Sequence, residues 1–126
     1  MVRDEFMKGK EMRLRLRDIA DRISIDPRKL THYALNPASP VGKHKAVLFE
    51  RLLGFTRENY TLLLTRLEEA AMPAEVTPHD EDKHGVRYTA DIPVQGTEGR
   101  EAVVRTGWIL PHGSREAHLT TLYVKR

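Results

Sequence analysis

The sequence predicts a single α+β domain in which N-terminal helices pack on a mainly antiparallel meander sheet of about four strands. Three observations predict it. Apolar residues recur at helical spacing over 43–67, they alternate at strand spacing from 86 onward, and short turns bearing glycine or proline separate the alternating runs. Helices that precede strands, rather than interleaving with them, point away from a parallel α/β sheet.

Residues 1–25 read as a basic N-terminal extension before a domain at 26–126. Within the extension, residues 12–17 alternate apolar and basic side chains, a strand period, whereas Ile19 and Ile23 stand four apart, a helix period. Strand, basic helix and solvated tail stay open there. Asp26 followed by Pro27 reads as a helix start, with the aspartate as cap and the proline at the first helical position, where its missing N–H costs nothing. That helix must be short, because Asn36-Pro37-Ala38-Ser39-Pro40-Val41-Gly42 is a loop. A second helix is expected over 43–53, striped by Ala46, Phe49, Leu52 and Leu53 and closed by Gly54. Thr56 caps a third, striped by Tyr60, Leu63, Leu64 and Leu67 and ended by Pro73. Strands are expected at 74–77, 86–93, 102–109 and 118–124, with 79–85 a polar turn and 95–99 a hairpin turn.

Hydrophobic residues make up 40% of the 126 and charged residues 31%, a balance that suits one core in a soluble chain. The absence of cysteine excludes disulfides, thiolate zinc sites, iron–sulfur clusters and a cysteine nucleophile, and it suits a reducing cytoplasm. No apolar run approaches about 18 residues and the first residues lack an apolar signal core. A cytoplasmic protein with no membrane segment is therefore expected. The net charge of +3 is compatible with an RNA partner. It is unevenly laid out: basic residues crowd 1–30, while Glu68, Glu69, Glu75, Asp80, Glu81 and Asp82 face only Lys83 over 68–84.

No phosphate-binding glycine loop is present, and the histidines are scattered, so no metal or cofactor is expected. The run His79-Asp80-Glu81-Asp82-Lys83-His84 reads as a solvated acidic loop ahead of a metal site. Three segments can carry chemistry. The loop-to-helix junction at Asn36 to Lys45 combines free backbone N–H groups with Lys43, His44 and Lys45, which suits a phosphate; equally, its lysines can simply point into water. Arg105 sits mid-strand, on the face opposite Thr106 and Trp108, and needs an anionic receiver, either a phosphate or a carboxylate such as Asp91. Thr121 and Tyr123 share one strand face and could orient a phosphate or a 2′-hydroxyl, although threonines also fill sheets for propensity alone. Trp108 reads as core.

Taken together, Leu30-Thr31-His32-Tyr33-Ala34-Leu35-Asn36-Pro37, Pro40-Val41-Gly42-Lys43-His44-Lys45-Ala46, Val103-Val104-Arg105-Thr106-Gly107-Trp108-Ile109 and Leu119-Thr120-Thr121-Leu122-Tyr123-Val124 resemble an uncharacterised bacterial domain family. It is found at the C-terminal toxin tip of filamentous-haemagglutinin and contact-dependent-inhibition proteins, and as small free-standing proteins. The resemblance covers about residues 26–125. It implies a toxin, and the helices-then-sheet layout is similar at fold level to the barnase/EndoU/colicin/RelE-like ribonucleases. Relatives often carry a histidine where this chain has Ser39; if that histidine is catalytic in them, either this copy is weakened or His44 takes its place.

What the resemblance implies is a metal-independent endoribonuclease that cleaves RNA, tRNA among the candidates, by 2′-hydroxyl attack on the adjacent phosphate. His44 is then the acid or base, Lys45 and Arg105 stabilise the phosphate, and Thr121 and Tyr123 orient it. Asn36, Lys43, Arg87 and Thr106 are the candidate substrate-binding residues. An antitoxin or immunity protein would be the neutralising partner. Two alternatives stand beside the enzyme: a non-catalytic protein-interaction module of a toxin–antitoxin or secretion system, and a nucleic-acid binder whose affinity falls steeply with salt.

Overall fold

The computed structural model describes residues 13–126. Among them lie six strands: β1 (Leu14–Arg15), β2 (Arg22–Ser24), β3 (Glu75–Asp82), β4 (Gly85–Gln95), β5 (Glu101–Leu110) and β6 (Glu116–Lys125). They form one sheet in the order β1-β3-β4-β5-β6-β2, curled into a half-barrel. Every pairing is antiparallel except β2 with β6, which is parallel.

This corrects the expected meander of about four strands behind N-terminal helices. The two extra strands come from the segment ahead of the first expected helix, and they close opposite edges of the sheet. Leu14 pairs with Val76, and Arg22 to Ser24 pair with Glu116 to His118. Strands of two and three residues are too short to show a period of two, so the sequence carries almost no signal for them. Between them lies a single helical turn, α1 (Leu16–Ile19), which buries Leu16 completely. Of the basic extension expected over 1–25, residues 1–12 lie outside the described residues. The expected polar turn at 79–85 is also revised, because β3 runs through to Asp82. Beyond Val76 that strand is exposed, so its polar side chains keep their hydration and leave no alternation to read.

The long strands follow the pleat. Tyr88, Ala90, Ile92 and Val94 on β4, Val104, Thr106 and Trp108 on β5, and Leu119, Leu122 and Val124 on β6 face the core. Thr89, Asp91, Arg105, Thr121, Tyr123 and Lys125 face away from it. A bulge lets Gly107 oppose Thr121 while Trp108 opposes Leu119, and Thr120 is the extra residue.

The helical layer covers the core face. Its short opening piece, a π-helical segment at Lys29–Ala34, buries Leu30 and Ala34. The helix expected over 43–53 divides into α2 (Lys43–Leu48) and a π-helical turn, Phe49–Leu53. Gly54 ends it at φ +75°, a left-handed conformation that glycine adopts without steric cost. After a 3-10 turn at Arg57–Asn59 comes α3 (Tyr60–Ala70), which buries Leu63 and Leu67. Trp108, Phe49, Phe55, Leu16 and Leu30 are the bulkiest fully buried side chains, so one core unites both layers with the N-terminal turn. Among the described residues no helix is long and apolar enough to cross a membrane.

Candidate functional site

The π-helical segment Lys29–Ala34 and α2 lie against β6, and Gly42 brings the two helical pieces together. A Cβ at Gly42 would collide with the backbone carbonyl of Tyr33, so only glycine permits this approach. The loop between them is held locally. The Ala38 N–H donates to Asn36 Oδ1 at 3.0 Å, and the Gly42 N–H donates to the buried Ser39 hydroxyl at 3.0 Å.

This packing leaves two adjoining clefts. One, of about 240 Å³, is lined by Lys29, Tyr33, Ala34, Val41, Lys45 and Thr120 to Leu122. The other, of about 620 Å³, is lined by residues that include Arg28, Lys29, His32, Tyr33, Asn36 and Val41. Lys29, Tyr33 and Val41 belong to both, so the clefts form one trench. The smaller has no acidic residue in its lining. The one carboxylate lining the larger, Asp26, is engaged by Arg28 at 2.7 Å. The trench is therefore electropositive.

Lys45 lines the smaller cleft. Its Nζ donates to Thr121 Oγ1 at 3.0 Å and lies 5.9 Å from the centre of the Tyr123 ring. Burial disfavours the ammonium form and pulls the Lys45 pKa below the usual lysine range. On the neighbouring strand Arg105 is the register partner of Tyr123. Its guanidinium forms a two-pronged pair with Asp91, Nε to Oδ1 at 2.7 Å and an Nη to Oδ2 at 2.9 Å, and Lys125 Nζ shares Oδ2 at 2.9 Å. The hydrogen bond from Arg105, aided by Lys125, holds Asp91 at about 2, well below an ordinary aspartate. The Asp91 carboxylate in turn raises the Arg105 pKa further, with the Tyr123 phenol contributing.

Four of the five residues expected to carry chemistry thus form a linked chain: Thr121, Lys45, Tyr123 and Arg105. Of the four, Lys45 and Thr121 line the smaller cleft, Tyr123 lines neither, and Arg105 lines a separate cleft with Asp91, Thr89, Thr77 and Glu75. The fifth, His44, is exposed on α2 and also lines neither. Of the expected binding residues, Asn36 lines the trench. Lys43 is exposed at the start of α2, and Arg87 is bound to Asp82 at 2.7 Å near the opposite end of β4. Thr106 is fully buried, its hydroxyl donating to the Ala90 carbonyl and accepting from Trp108 Nε1, both at 2.8 Å, so it braces the core. Three trench residues, Lys29, His32 and Tyr33, lie in the segment that carries the family resemblance but were not among the expected site residues. Their signal was present, since they stand at i, i+3 and i+4 on the stripe opposite Leu30 and Ala34. Among the described residues no three His, Asp or Glu side chains gather as a metal site.

No curated protein and no solved structure matches the chain. Residues 15–126, from the first edge strand to the last residue, match the family described as "Domain of unknown function (DUF6883)", and the chain belongs to that family.

Proposed function

We propose that this chain is a metal-independent endoribonuclease of the bacterial-toxin type, with its reacting centre at the Lys45 end of the trench. One observation carries it: a partly buried lysine, fixed by Thr121 and bordered by Tyr123, in the lining of an electropositive trench. In the proposed reaction the RNA 2′-oxygen bonds to the adjacent phosphorus as the bond from phosphorus to the 5′-oxygen breaks, leaving a cyclic phosphate and a 5′-hydroxyl. Lys45, its pKa lowered by partial burial, accepts the 2′-hydroxyl proton through its unprotonated fraction. The Tyr123 phenol donates a proton to the departing 5′-oxygen. Arg105, beside Tyr123, offers a permanent cation to the charge that develops on the phosphate. Thr121 aims Lys45. His44, outside the trench, has no part in this scheme.

The test is incubation of the purified protein with total bacterial RNA in EDTA, beside Lys45→Arg and Lys45→Ala proteins of matched thermal stability. Cleavage by the wild type, lost in both variants, is the expected result, because a guanidinium keeps the charge but cannot accept a proton. Cleavage retained in Lys45→Arg would reduce Lys45 to a phosphate-binding cation. Intact RNA in every lane would overturn the enzyme.

A second reading is favoured by the pairing of Arg105 with Asp91 and the outlying position of His44. Here the same trench is a non-catalytic module that holds an RNA strand or an acidic partner, such as an antitoxin or immunity protein. It predicts salt-sensitive binding with no turnover.

A further inference from the structure

The trench repeats one chemical unit. Lys29 Nζ lies 6.0 Å from the centre of the Tyr33 ring, and Lys45 Nζ lies 5.9 Å from that of Tyr123. The first unit is built within one helical turn, the second between α2 and β6, so no local repeat of sequence produces them both. In each, the ring stays open to solvent, 48% for Tyr33 and 37% for Tyr123, although a tyrosine beside a core would ordinarily be covered. Lys29, Tyr33 and Lys45 all line the smaller cleft, and Tyr123 stands outside that lining, beside Lys45, so the two units meet across the Lys45 side chain.

We infer that the two lysine–tyrosine units are successive nucleotide subsites, and that the trench selects single-stranded over double-stranded nucleic acid. This rests on the trench being a nucleic-acid site, as proposed above, but not on its cutting what it binds. Each unit offers what one unpaired nucleotide presents: a π-face for a base and an ammonium for the phosphate next to it. In a duplex the bases stack on each other and cannot reach the rings, so only the ammonium groups would be used. An acidic peptide would leave both rings idle in the same way.

The inference is tested by fluorescence anisotropy with a short labelled RNA of 2′-O-methyl nucleotides, which cannot be cleaved by 2′-hydroxyl attack. Its duplex form, a DNA strand of the same sequence and polyglutamate serve as the other probes. The expected result is binding of the single strand that weakens about tenfold in Tyr33→Leu and again in Tyr123→Leu, recovers in Tyr33→Trp, and is at least about tenfold weaker for the duplex. Thermal melts confirm that each variant is folded. Equal binding of the DNA strand would extend the inference to unpaired bases on either sugar. Tyrosine variants that bind like the wild type, duplex that binds as well as single strand, or polyglutamate that competes as well as RNA would each overturn it. The two proposals fail separately. Tyrosine-dependent binding without cleavage of natural RNA removes the nuclease and keeps the subsites, and a Tyr33→Leu protein that binds and cleaves like the wild type does the reverse.

Discussion

Arg105 and Asp91 are register partners on adjacent strands, joined by two parallel hydrogen bonds at 2.7 and 2.9 Å. The pair lies on the sheet face turned away from the core, with about a third of each side chain exposed. It supplies the anionic receiver that a mid-strand arginine requires, and it holds the guanidinium beside Tyr123.

The pair makes stability depend on acid. Asp91 titrates at about 2 when folded, against 3.8 for an ordinary aspartate, chiefly through its hydrogen bond from Arg105. A depressed carboxylate stabilises the fold fully above its unfolded pKa, and that contribution is lost as pH falls from about 4 through about 2. Solvent screening at this exposure reduces it to about 1 kcal/mol. Asp91→Asn should lower the melting temperature at pH 7 by that equivalent, and the difference from wild type should vanish near pH 2.

Thr106 offers a sharper stability test. Thr106→Val keeps the shape but leaves the Trp108 indole N–H without its acceptor inside the core, at a cost of about 1–3 kcal/mol. Urea denaturation should rank Thr106→Val below Thr106→Ser, which keeps both hydrogen bonds.

Much of the sheet could be read in advance, and the reason is alternation. Tyr88, Ala90 and Ile92 point one way while Thr89 and Asp91 point the other, and that pattern is visible without coordinates. The same alternation set Thr106 beside Trp108 and opposite Arg105, so its burial was legible even though it had been expected to bind substrate. The edges were illegible because β1 and β2 gain their identity from partners some 60 and 94 positions away, Val76 and Glu116, rather than from their own composition. The site was half legible. Lys45, Thr121 and Tyr123 stand out as residue types, but Lys29, His32 and Tyr33 matter only because Gly42 lets their helical segment settle beside α2.

Lys45 should separate function from stability. Its folded pKa is depressed by burial, so folding releases protons there and stability rises with pH as the lysine range is approached. Lys45→Met removes a desolvated charge and should melt no lower than wild type, while RNA cleavage disappears. NMR titration of the lysine side-chain CH₂ groups should find the Lys45 resonance moving below the usual lysine range.

Gly42→Ala tests how the trench is assembled. The added methyl meets the Tyr33 backbone rather than a side chain that could turn aside, and relief requires the segment Lys29–Ala34 to shift from α2. A loss of about 1–3 kcal/mol is expected in chemical denaturation, with weaker single-strand binding in the fraction that remains folded.

The parallel pairing of β2 with β6 also constrains synthesis. Arg22 to Ser24 are among the first described residues to be made, yet their partners, Glu116 to His118, are among the last. Synthesis must therefore pass β6 before that edge can close, and until then residues 22–24 lack the strand they join. Nascent chains halted before β6 should stay protease-sensitive at residues 22–24, and completion of β6 should secure that segment in a late step.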